Sequence, residues 1–191
     1  MKHHKHQPHE RRIFLRHSAK LALGGMLLPF AQKALANLSP ALPDARSLAF
    51  SHTHTGERIS LVYAVGDHYV PEALTVLNHF LRDHYSGEVG AIDPQLLDLL
   101  HRLQQELGCN DPFHVISGYR CPTTNQHLKA TRGGGVAKRS LHMDGKAIDI
   151  RLPGVALGDV RDAALGLKLG GVGFYSRDQF VHVDTGRVRH W

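Results

Sequence analysis

Two short segments hold the residue types from which a metal centre is built. Ser140-Leu-His-Met-Asp-Gly-Lys-Ala-Ile-Asp149 carries His142 and Asp149, and Phe180-Val-His-Val-Asp184 carries His182 and Asp184. Both set polar residues into an alternating apolar run, the period of a β-strand. From Ala147 to Leu152, residues Ile148, Ile150 and Leu152 share one face, while Asp149 and Arg151 take the other. From Phe180 to Asp184, Val181 and Val183 share one face, and His182 and Asp184 point away from it. If both strands lie in one sheet, Asp149 and His182 face each other on the side opposite the core. His142 falls in the turn before the first strand, where Gly145 lets the chain fold back over that face. One carboxylate and two imidazoles make a divalent-metal donor set. With a vacant fourth position it is the arrangement of zinc hydrolases. Spacing alone also admits hydrogen-bonded or surface histidines, since the chain has 16 of them.

The pattern Ser-x-His-x-x-Gly-x-Ala-x-Asp over 140–149 resembles the first zinc motif of the D-Ala-D-Ala carboxypeptidase/VanX-like peptidases. Phe-Val-His-Val-Asp resembles their second, and Ser117-Gly-Tyr-Arg120 resembles a further family segment. The resemblance runs over roughly Leu48 to Trp191, and the ending, His-Val-Asp-Thr-Gly-Arg-Val-Arg-His-Trp, is most similar to the exported murein endopeptidase subgroup. It implies a zinc enzyme that hydrolyses peptide cross-links of peptidoglycan, with wall stem peptides as substrate. It implies Zn2+ held by His142, Asp149 and His182, and Arg120 reaching into the site. A guanidinium suits that place, because its paired donors fit a carbonyl or carboxylate at any relevant pH. From the residues alone, a surface salt bridge is the favoured reading of Arg120.

The chain departs from the family at the proton carrier. VanX-like members have Glu three residues before the second His, and others have His two residues before it; here those positions are Gln179 and Phe180. Asp184 and His190 remain as candidates, and His190 ranks ahead. Asp184 reads alternatively as a carboxylate that orients an imidazole. The missing base keeps open a non-catalytic module that binds wall peptides through a metal. A D,D-carboxypeptidase on the same scaffold and a metal-sequestering protein are further alternatives.

Charge distribution removes one class of partner. Residues 1–36 hold seven of the 23 Lys and Arg and one of the 17 acids, which leaves 16 of each sign in the remainder. The net charge of +6 therefore belongs to the leader, and a nucleic-acid surface loses its support. That leader, Arg11-Arg12-Ile-Phe-Leu-Arg16, resembles a twin-arginine export motif, with an apolar run over 21–30 and Ala34-Leu-Ala36 as a cleavage signal. The run is too short for a stable span, so no membrane insertion is expected after cleavage. The division expected is a signal peptide at 1–36, a linker at 37–46 and a single zinc peptidase domain at 47–191. The Tat translocase would be the partner during export and the periplasm the destination, where Cys109 and Cys121 are expected to pair.

The elements that must position the site read as follows. Ser47–Ser51 and Arg58–Ala64 form a hairpin around Thr55-Gly56, whose His52 and His54 read as polar surface. Pro71 opens one amphipathic helix, and Asp93-Pro94 opens a second that runs to Gly108. Phe113–Ser117 is a strand, Thr123–Ala130 a short helix and 131–139 a loop. Leu157–Leu169 is a helix ended by Gly170-Gly171, and Val172–Tyr175 is a strand. Trp191 is expected to pack back on the domain. This order favours an α+β fold, with a small antiparallel sheet that carries the metal site and packs against several helices.

Overall fold

The computed structural model describes residues 44–131 and 136–191. The expected leader, most of the expected linker and the middle of the 131–139 loop lie outside the described residues. No described helix is long and apolar enough to cross a membrane.

The chain begins with an antiparallel hairpin, β1 (Ala45–His52) and β2 (Arg58–Val65), and continues with the short β3 (His68–Tyr69). Helices α1 (Pro71–Phe80) and α2 (Pro94–Leu107) follow. Both open on the proline that tolerates a first-turn position. Asp93 caps α2 by accepting from Gln95 N–H at 3.0 Å, and Gly108 closes it in the left-handed region at φ 59°. Next come β4 (Phe113–Ser117), α3 (Pro122–Thr131), a 3-10 turn at Leu141–Asp144, β5 (Ala147–Arg151) and α4 (Leu157–Leu167). The chain ends with β6 (Gly171–Tyr175), β7 (Phe180–Asp184) and β8 (Arg189–His190).

The α+β class holds, but the sheet is larger than expected. It has eight strands in the order β3-β2-β1-β4-β5-β7-β6-β8 and is mixed, because β1 runs parallel to β4 and β6 parallel to β8. The β1–β4 pairing aligns Phe50 with Phe113. Both helices of the intervening segment pack on the hairpin, α1 on β2 and α2 on β1. Leu96, Leu97, Leu100 and Leu103 of α2 are buried with Leu48, Phe50, Phe113, Ile148, Ile150, Val181 and Val183 of the sheet. Each fully buried Leu contributes about 1.5–3 kcal/mol relative to exposure. This core occupies the sheet face of Ile148 and Ile150, so alternation sends Asp149 to the other face.

Two details differ from expectation. Helix α4 ends at Lys168, a non-glycine in the left-handed region at φ 54°, ahead of the glycine pair. A side chain on Gly170 would run into the Asp184 carbonyl, and one on Gly171 into the Asp184 carboxylate, so this pair lets β6 lie close to the site. Both cysteines are free. Cys121 is buried at the start of α3, where its thiol donates to Thr124 Oγ1 at 3.3 Å, while Cys109 lies beyond α2 with its thiol toward Asp111.

Candidate functional site

Strands β5 and β7 pair antiparallel with Asp149 opposite His182. His142 reaches them from the 3-10 turn, which Gly145 closes at φ 65°; a side chain there would collide with the Ala91 carbonyl. The three residues are buried, and their donor atoms converge. His142 Nε2 lies 3.2 Å from His182 Nδ1 and 3.3 Å from Asp149 Oδ1, and His182 Nδ1 lies 2.8 Å from Asp149 Oδ1. Ligands at about 2.0–2.1 Å from a tetrahedral zinc stand about 3.3 Å apart, so the triangle fits that ion.

The remote ring nitrogens give a second test of fit. His142 Nδ1 donates to Gly118 C=O at 2.7 Å, and His182 Nε2 meets Asp184 Oδ2 at 3.1 Å. Each partner holds the ring proton on the outer nitrogen and turns the inner lone pair to the centre. Electrostatics give a third. Burial alone would raise the Asp149 pKa, but the two imidazoles outweigh it and hold the carboxyl well below its usual range. Burial depresses His142, whereas on His182 it is overcome by Asp149 and Asp184, which push that ring up to about 9. Asp149 and Asp184 thus favour positive charge at this centre. A divalent cation supplies it with both rings neutral.

Asp184 lies directly behind His182 and is fully buried. It accepts from Gly171 N–H at 3.0 Å, Gly186 N–H at 2.8 Å and both terminal nitrogens of Arg189, at 3.0 and 2.7 Å. Burial would raise its pKa, yet these donors and His182 keep it well below the carboxylate range. Arg120 sits on the opposite flank, 3.7 Å from Asp149 Oδ2, donating to Ser117 Oγ at 3.3 Å and Asn125 Oδ1 at 3.5 Å. A bulge in β4, where the register shifts between Val115 and Ser117, sets Ser117 opposite Asp149 and starts the turn to Arg120.

A cavity of about 530 Å³ opens over the cluster, lined by Arg120, His142, Asp149 and His182 with Tyr175 and Trp191 on its wall. Trp191 does pack back: its Nε1–H donates to Tyr175 Oη at 2.9 Å, and its ring centre is 5.3 Å from that of His182. It lies where a side chain on Gly173 would be, yet stays 51% exposed. The run Arg189-His-Trp191 holds a signal for this place, because alternation sends Arg189 and Trp191 one way and His190 the other. For the same reason His190 does not line the cavity. Its side chain is exposed. His52 also departs from expectation, being only 1% exposed, because its Nδ1 accepts the His54 N–H at 3.2 Å inside the turn.

A family model described as peptidoglycan L,D-endopeptidase MepK matches residues 40–191. The chain belongs to that family. It is 47% identical over 171 residues to the peptidoglycan L,D-endopeptidase MepK of Escherichia coli strain K12, covering 90% of this chain and 91% of the relative. The MepK of Shigella flexneri is similar to the same degree, and a probable MepK of Haemophilus influenzae is 39% identical over 172 residues, with 90% of both chains covered. No solved structure matches. The MepK match covers the cluster and both of its flanks, and agrees with the resemblance drawn from 140–149 and 180–184.

Proposed function

We propose that this chain is an exported zinc peptidase that hydrolyses peptide cross-links of peptidoglycan at an L,D bond, with His142, Asp149 and His182 as the zinc ligands. One observation carries the reading: the inward atoms of these three residues form a triangle of 2.8 to 3.3 Å in the wall of a substrate-sized cavity. Membership of the MepK family supports the substrate class. Two neutral imidazoles and one carboxylate favour zinc over calcium or magnesium, which take oxygen ligands. Zinc held there supplies Lewis acidity toward a carbonyl and a water that ionises near neutral pH.

The chain's own groups do the rest. Gly118 C=O keeps the proton on His142 Nδ1, and the Asp184 carboxylate keeps it on His182 Nε2. Arg120 offers guanidinium donors to the substrate carbonyl and to charge that develops on it. Trp191 and Tyr175 wall the cavity against bulk water and grip the peptide. Asp184, ionised and held by Arg189 and two backbone N–H groups, is a positioning residue. The Arg11-Arg12 leader supports twin-arginine export through the Tat translocase to the periplasm, where the stem peptides are found.

Defined muropeptide dimers cross-linked through either an L,D or a D,D bond test the reading, with products identified by mass spectrometry. The L,D dimer is expected to be cut to monomers and the D,D dimer left whole. Release of a terminal D-Ala alone would make the protein a carboxypeptidase, and no cleavage of either dimer would leave the binding-module reading standing.

A further inference from the structure

Two groups that flank the cluster, Gly118 C=O and Arg120, sit on one short segment between β4 and α3. Gly118 C=O accepts from His142 Nδ1–H at 2.7 Å, and the Arg120 guanidinium lies 3.7 Å from Asp149 Oδ2. The segment is neither helix nor strand, so its placement depends on what holds its backbone. Each of three successive N–H groups has an anchor. Tyr119 N–H donates to Leu81 C=O at 2.8 Å, Arg120 N–H to His142 C=O at 3.1 Å, and Cys121 N–H to Asp83 Oδ2 at 2.9 Å. Gly118 permits this approach, because a Cβ there would stand 2.6 Å from the Leu81 carbonyl oxygen. Of the three acceptors, Asp83 alone uses a side chain.

Asp83 is only 1% exposed, and a buried carboxylate is costly unless donors meet it. Its other oxygen, Oδ1, accepts from Tyr85 N–H at 2.9 Å and Ser86 N–H at 3.4 Å and so caps the turn that Asp83 itself begins. That turn is closed by Gly87 N–H on Asp83 C=O at 2.7 Å and by Asp83 N–H on Glu88 C=O at 2.9 Å. One oxygen thus serves the local turn and the other the Arg120 segment. Burial would raise the Asp83 pKa, but the Cys121 N–H, the Thr124 hydroxyl and the Tyr85 N–H outweigh it and hold the carboxyl below its ordinary value. Negative charge suits the place, since Cys121 leads directly into the N-terminus of α3. Fixing that end also fixes Asn125, one turn on, whose Oδ1 accepts from Arg120 at 3.5 Å. Only a side chain with two acceptor oxygens serves both partners. An amide would set N–H against N–H on one side.

We propose that Asp83 is a positioning residue for the reaction: by holding Cys121 N–H it sets the Gly118–Arg120 segment, and with it both the His142 ring and the Arg120 guanidinium. The inference rests on the peptidase reading above. Asp83 does not line the cavity, so it acts only through this segment. Without the tether, the N–H of Cys121, a residue 2% exposed, is left buried and unpaired. The segment then moves to find another acceptor. Gly118 C=O moves with it and loosens the His142 ring, while Arg120 loses its aim at the cavity. A misplacement of about 1 Å costs on the order of 10²-fold in rate.

The test compares Asp83→Asn with Asp98→Asn in the full chain. Asp83→Asn preserves shape and keeps an oxygen for Tyr85 and Ser86 N–H, but turns its amide N–H toward Cys121 N–H. Asp98 is the control, a carboxylate that accepts from Tyr63, Tyr69 and Arg46 and does not line the cavity. Urea midpoints, zinc affinity by competition with a chelator, and kcat and KM of zinc-saturated protein on an L,D dimer are measured for each. Asp83→Asn is expected to weaken zinc about 10-fold through the looser His142 ring. It should also lower kcat about 10–100-fold with KM within about threefold, because Arg120 acts on charge that develops in the transition state. Asp98→Asn should lower the urea midpoint and leave zinc affinity and kcat unchanged. Asp83→Ser, whose hydroxyl caps the turn without reaching Cys121, should repeat the losses of Asp83→Asn and serves if that variant does not fold. Unchanged zinc affinity and kcat in a folded Asp83 variant would overturn the assignment. So would equal losses in Asp98→Asn, or failure of both Asp83 variants to fold, which would make Asp83 a stabilising residue alone. No cleavage by wild type would remove the peptidase reading instead, and zinc affinity, which needs no peptide, would still judge the tether.

Discussion

Among the described residues two histidine clusters stand out: His142 and His182 are buried, whereas of His52, His54 and His84 only His52 is buried and His54 is exposed. Around His142 and His182 the inner nitrogens converge with a carboxylate, and the outer nitrogens find an acceptor in Gly118 C=O and Asp184. Around His52, His54 and His84 no carboxylate joins the rings, two of them stack in parallel, and two Nε2 atoms are left without a partner. The partner of the remote nitrogen separates them. A ring whose far side is held by an acceptor presents a lone pair, which a cation can use; a ring whose far side accepts from backbone presents a proton instead. His52, with Nδ1 committed to its turn, is of the second kind.

The sharpest way to break this contrast is substitution in the first cluster. His142→Ala, Asp149→Ala and His182→Ala should each abolish zinc binding and reduce turnover to that of zinc-free protein, with the fold kept because the core lies on the other sheet face. Elemental analysis and muropeptide turnover check this. Full turnover in Asp149→Ala would erase the distinction between the clusters. Asp184→Asn should act next most strongly, weakening zinc affinity about 10–100-fold through the loss of His182 orientation. A zinc-buffer titration reads that change.

The second cluster should show itself in acid. His52 and His84 are held down to about 4, first by burial and then by their neighbouring imidazoles, against an ordinary 6.5. The unfolded chain therefore takes up their protons before the folded one. The stability they contribute is complete above pH 6.5, declines as pH falls toward 4, and levels off below. His52→Asn retains an acceptor for the turn and removes one titrating ring. The gap in urea midpoint between wild type and His52→Asn should shift across that window in favour of the variant, and a constant gap from pH 8 to 4 would contradict the assignment. The smallest effect expected is that of His190→Ala. With the side chain directed away from the cavity, turnover and zinc content should stay within about twofold, the range of a surface substitution.

Much of the first cluster was legible in the sequence, for local reasons. Alternation around Asp149 and His182 fixes which face each side chain takes, and Gly145 marks the turn that brings in His142. The parallel β1–β4 pairing was not legible, because the match of Phe50 with Phe113 spans two helices and leaves no local mark. Nor was the burial of His52: a histidine near Thr55-Gly56 reads as polar surface until its Nδ1 is seen accepting a backbone N–H, a duty usually given to Asp or Asn. His190 has a type that suits proton transfer, but its place in the strand leaves Arg189 and Trp191, not His190, on the cavity wall.

One zinc ion held by His142, Asp149 and His182 is proposed to make this chain a peptidoglycan hydrolase. Protein stripped by chelator and then titrated with zinc against a defined L,D cross-linked muropeptide tests it most directly. Turnover is expected to be absent without metal, to rise linearly with added zinc and to reach a plateau at one zinc per chain. Undiminished turnover in the stripped protein would contradict it, as would full zinc binding without cleavage of the dimer.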